Sequence, residues 1–349
     1  MSKKLRIGIL GAAKINKNAL LDPCKKISDQ VVITAIAARD KARCLKYVEK
    51  MGLTDCKVYD SYDDLINDEN SCDALYNPLP NGSHFEWTIK ALNNGKHVLC
   101  EKPFASNSRE ARIMVNTAKE KNLILMEAFH WWYHPLRKRI QDLLNAGTIG
   151  KVKTMNADFL IPPNNIPRNK NELRYNSELA GGATMDLGTY TINWLREFNN
   201  REIPIVTSAE AVTWDDDHEI DEGMKATFLF KNNIKAKMEC SFIGNEFNVS
   251  ITINGDKGTL KSLLFQNLVI CTDNDGNELI KESVGPKDMR TYDYMVRAFV
   301  SHVTQFENGI INEPDVFQNT GEEIINQMSV IDEVYKMANM NVRHGPSKL

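Results

Sequence analysis

No stretch of the 349-residue chain approaches eighteen consecutive apolar residues, so no membrane-spanning helix is expected. The opening residues Met1-Ser2-Lys3-Lys4-Leu5 lead into an apolar strand with no signal-peptide apolar region, which makes the cytoplasm the expected location. The seven cysteines (24, 44, 56, 72, 100, 240 and 271) include no Cys-x-x-Cys, so neither a disulfide framework nor a zinc knuckle is expected. They read as reduced packing residues. Long blocks of one charge sign are missing too: 43 basic against 46 acidic side chains leave a net charge of -3, and nucleic acid is not an expected partner. No repeat or low-complexity segment separates the halves. What remains, 42% hydrophobic and 26% charged residues, is the balance of a globular protein long enough for two domains.

The stretch Lys96-His97-Val98-Leu99-Cys100-Glu101-Lys102-Pro103 ends a short apolar strand in a charged pair and a proline. In an open parallel sheet, ligands bind beyond the carboxyl ends of the strands, which makes Lys102 a candidate reacting group. Pro103 biases Lys102 away from the helical region and stops the strand. A surface Lys-Glu pair before a proline turn is the plain alternative.

Leu5 to Leu10 is an apolar strand, and Gly8-Ile9-Leu10-Gly11-Ala12-Ala13-Lys14-Ile15-Asn16 turns from it into a helix-compatible stretch. Such a turn leaves backbone N-H groups aimed at an anion. Gly11 serves as the tight-turn glycine, but Ala13 stands where a second glycine admits a pyrophosphate, and Asn16 where a small residue permits close packing. The fingerprint is partial, and a generic strand-turn-helix stands beside it. The second strand, Val31 to Ala37, ends in Ala38-Arg39-Asp40. Small residues followed by arginine leave room for a 2'-phosphate and a cation to pair with it, which favours NADP over NAD. A solvated arginine is the alternative. Asp40 reads as the N-cap of a helix over Lys41 to Met51.

Strands at Asp73 to Tyr76, His97 to Leu99 and Leu123 to Glu127 alternate with helices at Ser83 to Asn94 and Ser106 to Lys121. That order gives a parallel, doubly wound sheet. The loop Asn77-Pro78-Leu79-Pro80-Asn81-Gly82-Ser83-His84 lies on its ligand edge, as a turn or as a wall against the nicotinamide end of a dinucleotide.

Glu127-Ala128-Phe129-His130-Trp131-Trp132-Tyr133-His134-Pro135 is unusually aromatic. His130 and His134 lack the intervening glutamate of a metalloprotease helix, and Pro135 breaks regular helix, so no metal site is expected. A pocket wall and plain core are the readings left. After an amphipathic helix over Pro135 to Ala146, strand-like runs follow at Lys153 to Ile161, Ile205 to Trp214, Lys225 to Phe230, Ile234 to Phe242, Asn248 to Asn254, Gly258 to Phe265 and Leu268 to Thr272. Short turns such as Lys231-Asn232-Asn233 predict a largely antiparallel second sheet. Helices return at Tyr292 to Asn308 and Asp315 to Met337. Pro162 to Asn171 reads as a loop.

One helical insertion, Leu179-Ala180-Gly181-Gly182-Ala183-Thr184-Met185-Asp186-Leu187-Gly188-Thr189-Tyr190, places Asp186 and Tyr190 on one face if a helix runs from about Ala183. A carboxylate there holds the phenol, and a nearby ammonium favours the phenolate of a group that ordinarily titrates near 10. A capping Asp and a core Tyr are the plain alternative.

Taken in this order, Gly8 to Ala13, Arg39, Tyr76 to His84, Glu101-Lys102-Pro103 and Gly181 to Tyr190 resemble the glucose-fructose oxidoreductase and inositol dehydrogenase (Gfo/Idh/MocA) family. Within it, the branch of dimeric dihydrodiol dehydrogenases and D-xylose 1-dehydrogenases is most similar. The resemblance implies an α/β protein with a Rossmann domain over residues 1–129. An α/β domain with a large, mostly antiparallel open sheet is implied over 130–349, for substrate binding and dimerisation, with C-terminal helices that pack back on the first domain. It implies Lys102, Asp186 and Tyr190 as the catalytic set, with a cis bond before Pro103. Implied cofactor contacts are Gly11, Ala13, Lys14, Ile15, Arg39, Asn77, Pro78, Leu79, Asn81, His84, Glu101 and Lys102. Trp132, Arg174 and Tyr190 are implied on the substrate side, with His84 a further candidate there. The expected reaction moves a hydride between NADP, with NAD as the alternative, and a carbinol carbon of a carbohydrate or trans-diol. A homodimer or homotetramer is expected. Two other classes stand beside this one: an NADP-binding sensor or scaffold, and an enzyme that uses tightly held NAD in a non-redox reaction.

Overall fold

Short apolar runs punctuated by capped amphipathic segments build the first sheet. The structure, a computed structural model, describes residues 3–311 and 321–346. In chain order the first elements are β1 (Leu5–Leu10), a π turn at Lys17–Leu21 running into α1 (Asp22–Lys25), β2 (Val31–Ala37), α2 (Lys41–Met51), β3 (Lys57–Tyr59) and α3 (Tyr62–Asn67). They continue with β4 (Ala74–Asn77), α4 (His84–Asn93), β5 (His97–Cys100), α5 (Ser108–Glu120) and β6 (Leu125–Glu127). The strands pair in parallel in the order β3-β2-β1-β4-β5-β6. This is the doubly wound sheet expected, with β3 and α3 added to it. Asp40 caps α2 as its position predicts, its Oδ1 accepting from the Arg43 N-H at 3.0 Å, and Gly52 ends that helix at φ 67°.

Asp73, just ahead of β4, ties the sheet to its first strand. It accepts from the Arg6 backbone N-H at 3.0 Å and from the Arg6 guanidinium at 2.7 Å. Burial pushes the Asp73 carboxyl up, but the bonds and charge of Arg6 outweigh it and hold the group down at about 2. A depressed carboxyl stabilises the fold above its unfolded value near 3.9 and loses that contribution as pH falls toward 2. Asp73→Asn should therefore lower the melting temperature at pH 7 and narrow the difference from the parent by pH 2 to 3, read by thermal scans across pH.

The later elements are α6 (Pro135–Asn145), β7 (Val152–Leu160), a π turn at Thr184–Gly188 that leads into α7 (Thr189–Glu197), β8 (Ile205–Trp214), β9 (Asp217–Leu229) and β10 (Lys235–Ser241). Then come β11 (Asn248–Gly255), β12 (Gly258–Leu263), β13 (Leu268–Asp273), β14 (Glu278–Ser283), α8 (Thr291–Glu307) and α9 (Glu322–Met337). The second sheet runs β14-β13-β12-β11-β7-β10-β9-β8, antiparallel except where β7 and β10 pair in parallel. Period-two burial shows in β10, where Ala236, Met238 and Cys240 are buried while Lys235 and Lys237 are exposed. The opposite, polar face of the sheet forms a concavity of about 500 Å³ lined by Thr154, Asn156, Thr227, Lys235 and Lys237.

The chain divides into two units. One comprises Met1–Tyr133, Asp288–Ile325 and Gly345–Leu349, and the other His134–Lys287 and Asn326–His344. The first unit runs through Tyr133, a few residues past the boundary expected after residue 129, and includes α8. Its Met295, Val296, Phe299, Val300 and Val303 share one core with Ile7, Ile9, Tyr76 and Leu99. Of the expected final helix, Glu322–Met337 is present and residues 315–320 lie outside the described residues. All seven cysteines are free thiols, six of them buried. Among the described residues, no helix is long and apolar enough to cross a membrane.

Candidate active site

The first unit presents its candidate residues where its strands end. β1 stops at Gly11, whose φ of +94° suits glycine and whose N-H donates to the Ala37 carbonyl at 2.7 Å. A Cβ there would stand 3.1 Å from Leu79 Cδ2, so a side chain would press on the Leu79 loop. Asn16 is the surprise of this turn. Fully buried, it donates from Nδ2 to the Gly11 carbonyl at 2.8 Å and stitches the loop shut where a small residue was expected. Ala13 and Ile15 are half-buried and Lys14 is exposed. At the end of β2, Arg39 is exposed. Burial pushes the nearby Tyr62 phenol up while the charges of Arg39 and Arg43 pull it back. Arg43 was not among the sequence candidates, because a helix-face arginine carries no local signal.

The β4 loop is held from behind. Asn77, fully buried, donates to Thr88 Oγ1 at 3.1 Å and accepts from the Leu79 N-H at 3.4 Å; it is a stitch in the loop wall. Pro78 is buried, whereas Leu79 and Asn81 are half-buried. His84 is wholly enclosed, its Nδ1 2.9 Å from the Pro103 carbonyl oxygen and its Nε2 2.8 Å from that of Leu79. Burial pushes its pKa down to about 4, against the pull of the two carbonyls. A neutral imidazole donates to one of them. His84, expected on the cofactor or substrate side, links the Leu79 loop to Pro103.

Lys102 follows β5 directly, half-buried, and the bond to Pro103 is cis. Glu101 beside it is turned to the protein: Oε1 accepts from the Tyr76 hydroxyl at 2.7 Å and Oε2 from the Lys102 N-H at 3.2 Å. Burial, with the Glu101 carboxylate adding to it, drives the Tyr76 phenol well above its ordinary value, so it stays a donor. Trp132 is 2% exposed and packs edge-on to Trp131 at 6.4 Å, while His130 lies 4.2 Å from the Tyr292 ring. These contacts pack the aromatic run within the first unit.

These residues fit a dinucleotide. A side-chain-free turn at the end of β1 leaves room for backbone N-H groups to meet an anion, and an exposed guanidinium at the end of β2 suits a second phosphate.

In the second unit, the expected helix begins as the π turn Thr184–Gly188 and continues as α7. Asp186 Oδ2 accepts from Arg174 Nε at 2.5 Å, and Arg174 also donates to Glu172 Oε1 at 2.9 Å. The Asp186 charge raises the Arg174 guanidinium further above its ordinary value. Arg174, expected on the substrate side, is thus anchored to Asp186. Tyr190 is 7% exposed, its ring 5.6 Å from Phe159 and 6.0 Å from Trp194. Phe159 also meets the exposed Phe265 at 5.9 Å, which carries the aromatic cluster to the surface. The acidic pair on β9 went unread in the sequence. Glu222 takes a two-point bond from Arg168 at 2.6 and 2.8 Å and one from the Tyr175 hydroxyl at 2.9 Å. Among the described residues, no group of three or more His, Cys, Asp or Glu could hold a metal ion.

A parallel sheet with its dinucleotide turn, coupled in one chain to a large mixed sheet, marks the class of oxidoreductases with an NAD-binding Rossmann fold. Residues 5–129 match the model of the oxidoreductase family with NAD-binding Rossmann fold, GFO_IDH_MocA, and residues 138–261 match the GFO/IDH/MocA C-terminal domain. The chain belongs to the Gfo/Idh/MocA family. D-xylose 1-dehydrogenase (NADP(+)) 2 of Haloferax volcanii is 29% identical, over 96% of this chain and 97% of its own. Trans-1,2-dihydrobenzene-1,2-diol dehydrogenase of Danio rerio is 30% identical over 74% of each chain. A variant of KijD10, a 3-ketoreductase from Actinomadura kijaniata in complex with TDP-benzene and NADP, superposes with a TM-score of 0.84 at 25% identity, covering 96% of this chain and 98% of that one. Other curated relatives are spanned over only about half their length, 53% and 54%.

Proposed function

We propose that the protein transfers a hydride between C4 of NADP(H) and a carbinol carbon of a sugar or a cyclic trans-diol. The observation that carries this reading is the place of Lys102, directly beyond β5 on the sheet edge that also bears the Gly11 turn and the Leu79 loop. An ammonium there faces the ground where such sheets hold their ligands. The relatives' names support the class of substrate: a D-xylose dehydrogenase and a dihydrodiol dehydrogenase both name compounds with carbinol carbons.

Bound NADP supplies the hydride acceptor, or the donor in reverse. Tyr190 takes the carbinol proton at its phenolic oxygen as the C-H electron pair leaves, and the carbonyl forms. Lys102 binds the substrate oxygen and supplies the positive charge that favours the phenolate. Asp186, fixed by Arg174, orients the phenol. Gly11, Ala13, Lys14 and Ile15 line the phosphate turn, and Arg39 pairs with the 2'-phosphate. The protein works as a homodimer through the polar face of its second sheet, in the cytoplasm.

Incubating the protein with NADP and a panel of pentoses, hexoses and trans-diols, and following the reduced-nicotinamide absorbance band, tests the reading. Silence from every member while NADP binds would sink it. Arg39→Ala should raise KM for NADP by about 10- to 100-fold, the worth of one charge-assisted bond, while KM for NAD stays within twofold. Equal effects on both cofactors would remove Arg39 from the phosphate.

A further inference from the structure

We propose that Arg343, which follows α9, is a positioning residue for the helix that bears Asp186 and Tyr190. The first N-H groups of a helix find no partner inside it. Here the Thr184 N-H, at the start of the π turn, donates to Asp221 Oδ2 at 2.6 Å. A carboxylate at a helix N-terminus also suits the helix dipole. Asp221 has no exposure at all, however, and a lone buried carboxylate is costly.

Arg343 answers that cost. Its Nη2 donates to Asp221 Oδ1 at 2.8 Å, its Nε donates to the Gly181 carbonyl at 3.1 Å, and its guanidinium lies 4.3 Å from the Tyr335 ring centre. The Tyr335 hydroxyl adds a bond to Asp221 Oδ1 at 2.9 Å, and Glu219 lies 3.9 Å from Arg343 Nη1. One side chain therefore grips both the carboxylate that caps the helix and the carbonyl just ahead of it. Gly182 makes this approach possible: at φ +120° it lacks the Cβ that would stand 2.1 Å from Asp221 Oδ1. A second hold comes from Gln327 on α9, whose Nε2 donates to the Thr189 carbonyl at 2.9 Å, one residue before Tyr190.

The consequence rests on the acid-base reading above. Where the helix starts decides where Asp186 and Tyr190 stand, and about 1 Å of misplacement costs on the order of 10²-fold in rate. Arg343 acts on the reaction through Asp221 and Gly181, without touching the reacting atoms.

The test uses the full-length enzyme, with Arg343→Ala, Arg343→Lys and Tyr190→Phe made in parallel. Amide hydrogen exchange over 184–190, kcat, KM, NADPH affinity and melting temperature are measured on each. Arg343→Ala should speed exchange at Thr184, Met185 and Asp186 by about tenfold or more, as a lost cap does, and lower kcat by about 30- to 100-fold. NADPH affinity should stay within about twofold, a split that general destabilisation does not produce. Arg343→Lys keeps the charge beside Asp221 but cannot also reach Gly181, and should fall between the two. If the alanine enzyme does not fold, the lysine enzyme carries the test, with kcat lowered at a melting temperature near the parent's. Unchanged exchange, or faster exchange with undiminished kcat, overturns the inference. A Tyr190→Phe enzyme that keeps its kcat overturns the acid-base reading and this inference with it. Loss of turnover in Tyr190→Phe beside full turnover in Arg343→Ala overturns the inference alone.

Discussion

Tyr190→Phe should lose about 10²- to 10⁴-fold in kcat, some 3 to 5 kcal/mol of barrier, because on the proposed mechanism it removes the oxygen that receives the carbinol proton. The ring itself stays. Its contacts with Phe159 and Trp194 do not involve the hydroxyl, so the melting temperature should move by only a few degrees. NADPH affinity should hold, since the residues assigned to the dinucleotide all lie in the first unit. Steady-state kinetics beside a fluorescence titration with NADPH reads both quantities at once. A phenylalanine enzyme that keeps a tenth or more of its turnover would strip Tyr190 of the acid-base role.

The charges around Asp186 fit the orienting part proposed for it. Arg174 holds its carboxylate at 2.5 Å and is itself anchored by Glu172. Arg168, on the same stretch of chain, is bound by Glu222. Neighbouring acids on β9 thus fix two different segments: Asp221 the start of the helix, and Glu222 the chain that carries Arg174 to it. Both are buried, and both are paired on each oxygen or by a two-point bond, the condition under which buried carboxylates are tolerated.

The sequence carried the parts of this architecture that depend on local pattern. The strand runs and the Asp40 cap were readable because periodicity and capping act over a few residues. β3, three residues long and exposed at Lys57, offers too little pattern to recognise. β14, Glu278–Ser283, is charged and polar at four of its six positions with none buried, as an edge strand is, and reads like a loop. The first half of β9, Asp217 to Met224, was missed for a different reason. Its acids look solvent-facing until Arg343 and Arg168 arrive from 122 and 54 residues away. Long-range pairing of charge leaves no trace in a local window. The same limit hid the Asn16 stitch, where a polar residue at a packing position reads as a defect until its donor is seen on the Gly11 carbonyl.

Lys102→Met puts the whole reading at its greatest risk. Methionine keeps an unbranched stem of similar length and removes only the charge, so the cis Lys102–Pro103 corner and the Glu101–Tyr76 bond should persist. On the proposed mechanism, loss of the ammonium takes the donor from the substrate oxygen and the counter-charge from the phenolate. We expect kcat/KM for oxidation at pH 7 to fall by about 10³-fold or more, a loss on the order of 4 kcal/mol. What rate remains should climb steeply with pH, since a phenol left to ionise unaided does so near 10 and oxidation needs the phenolate. Lys102→Arg should restore only part of the loss, because a planar fork does not replace a compact point charge. NADP affinity, measured by titration, should stay within about threefold of the parent. That retention separates an enzyme from a sensor: a sensor would show no turnover to lose, whereas an enzyme loses turnover and keeps its dinucleotide. A methionine variant that turns over as the parent does, at every pH, would leave Lys102 as nothing more than half of a surface pair.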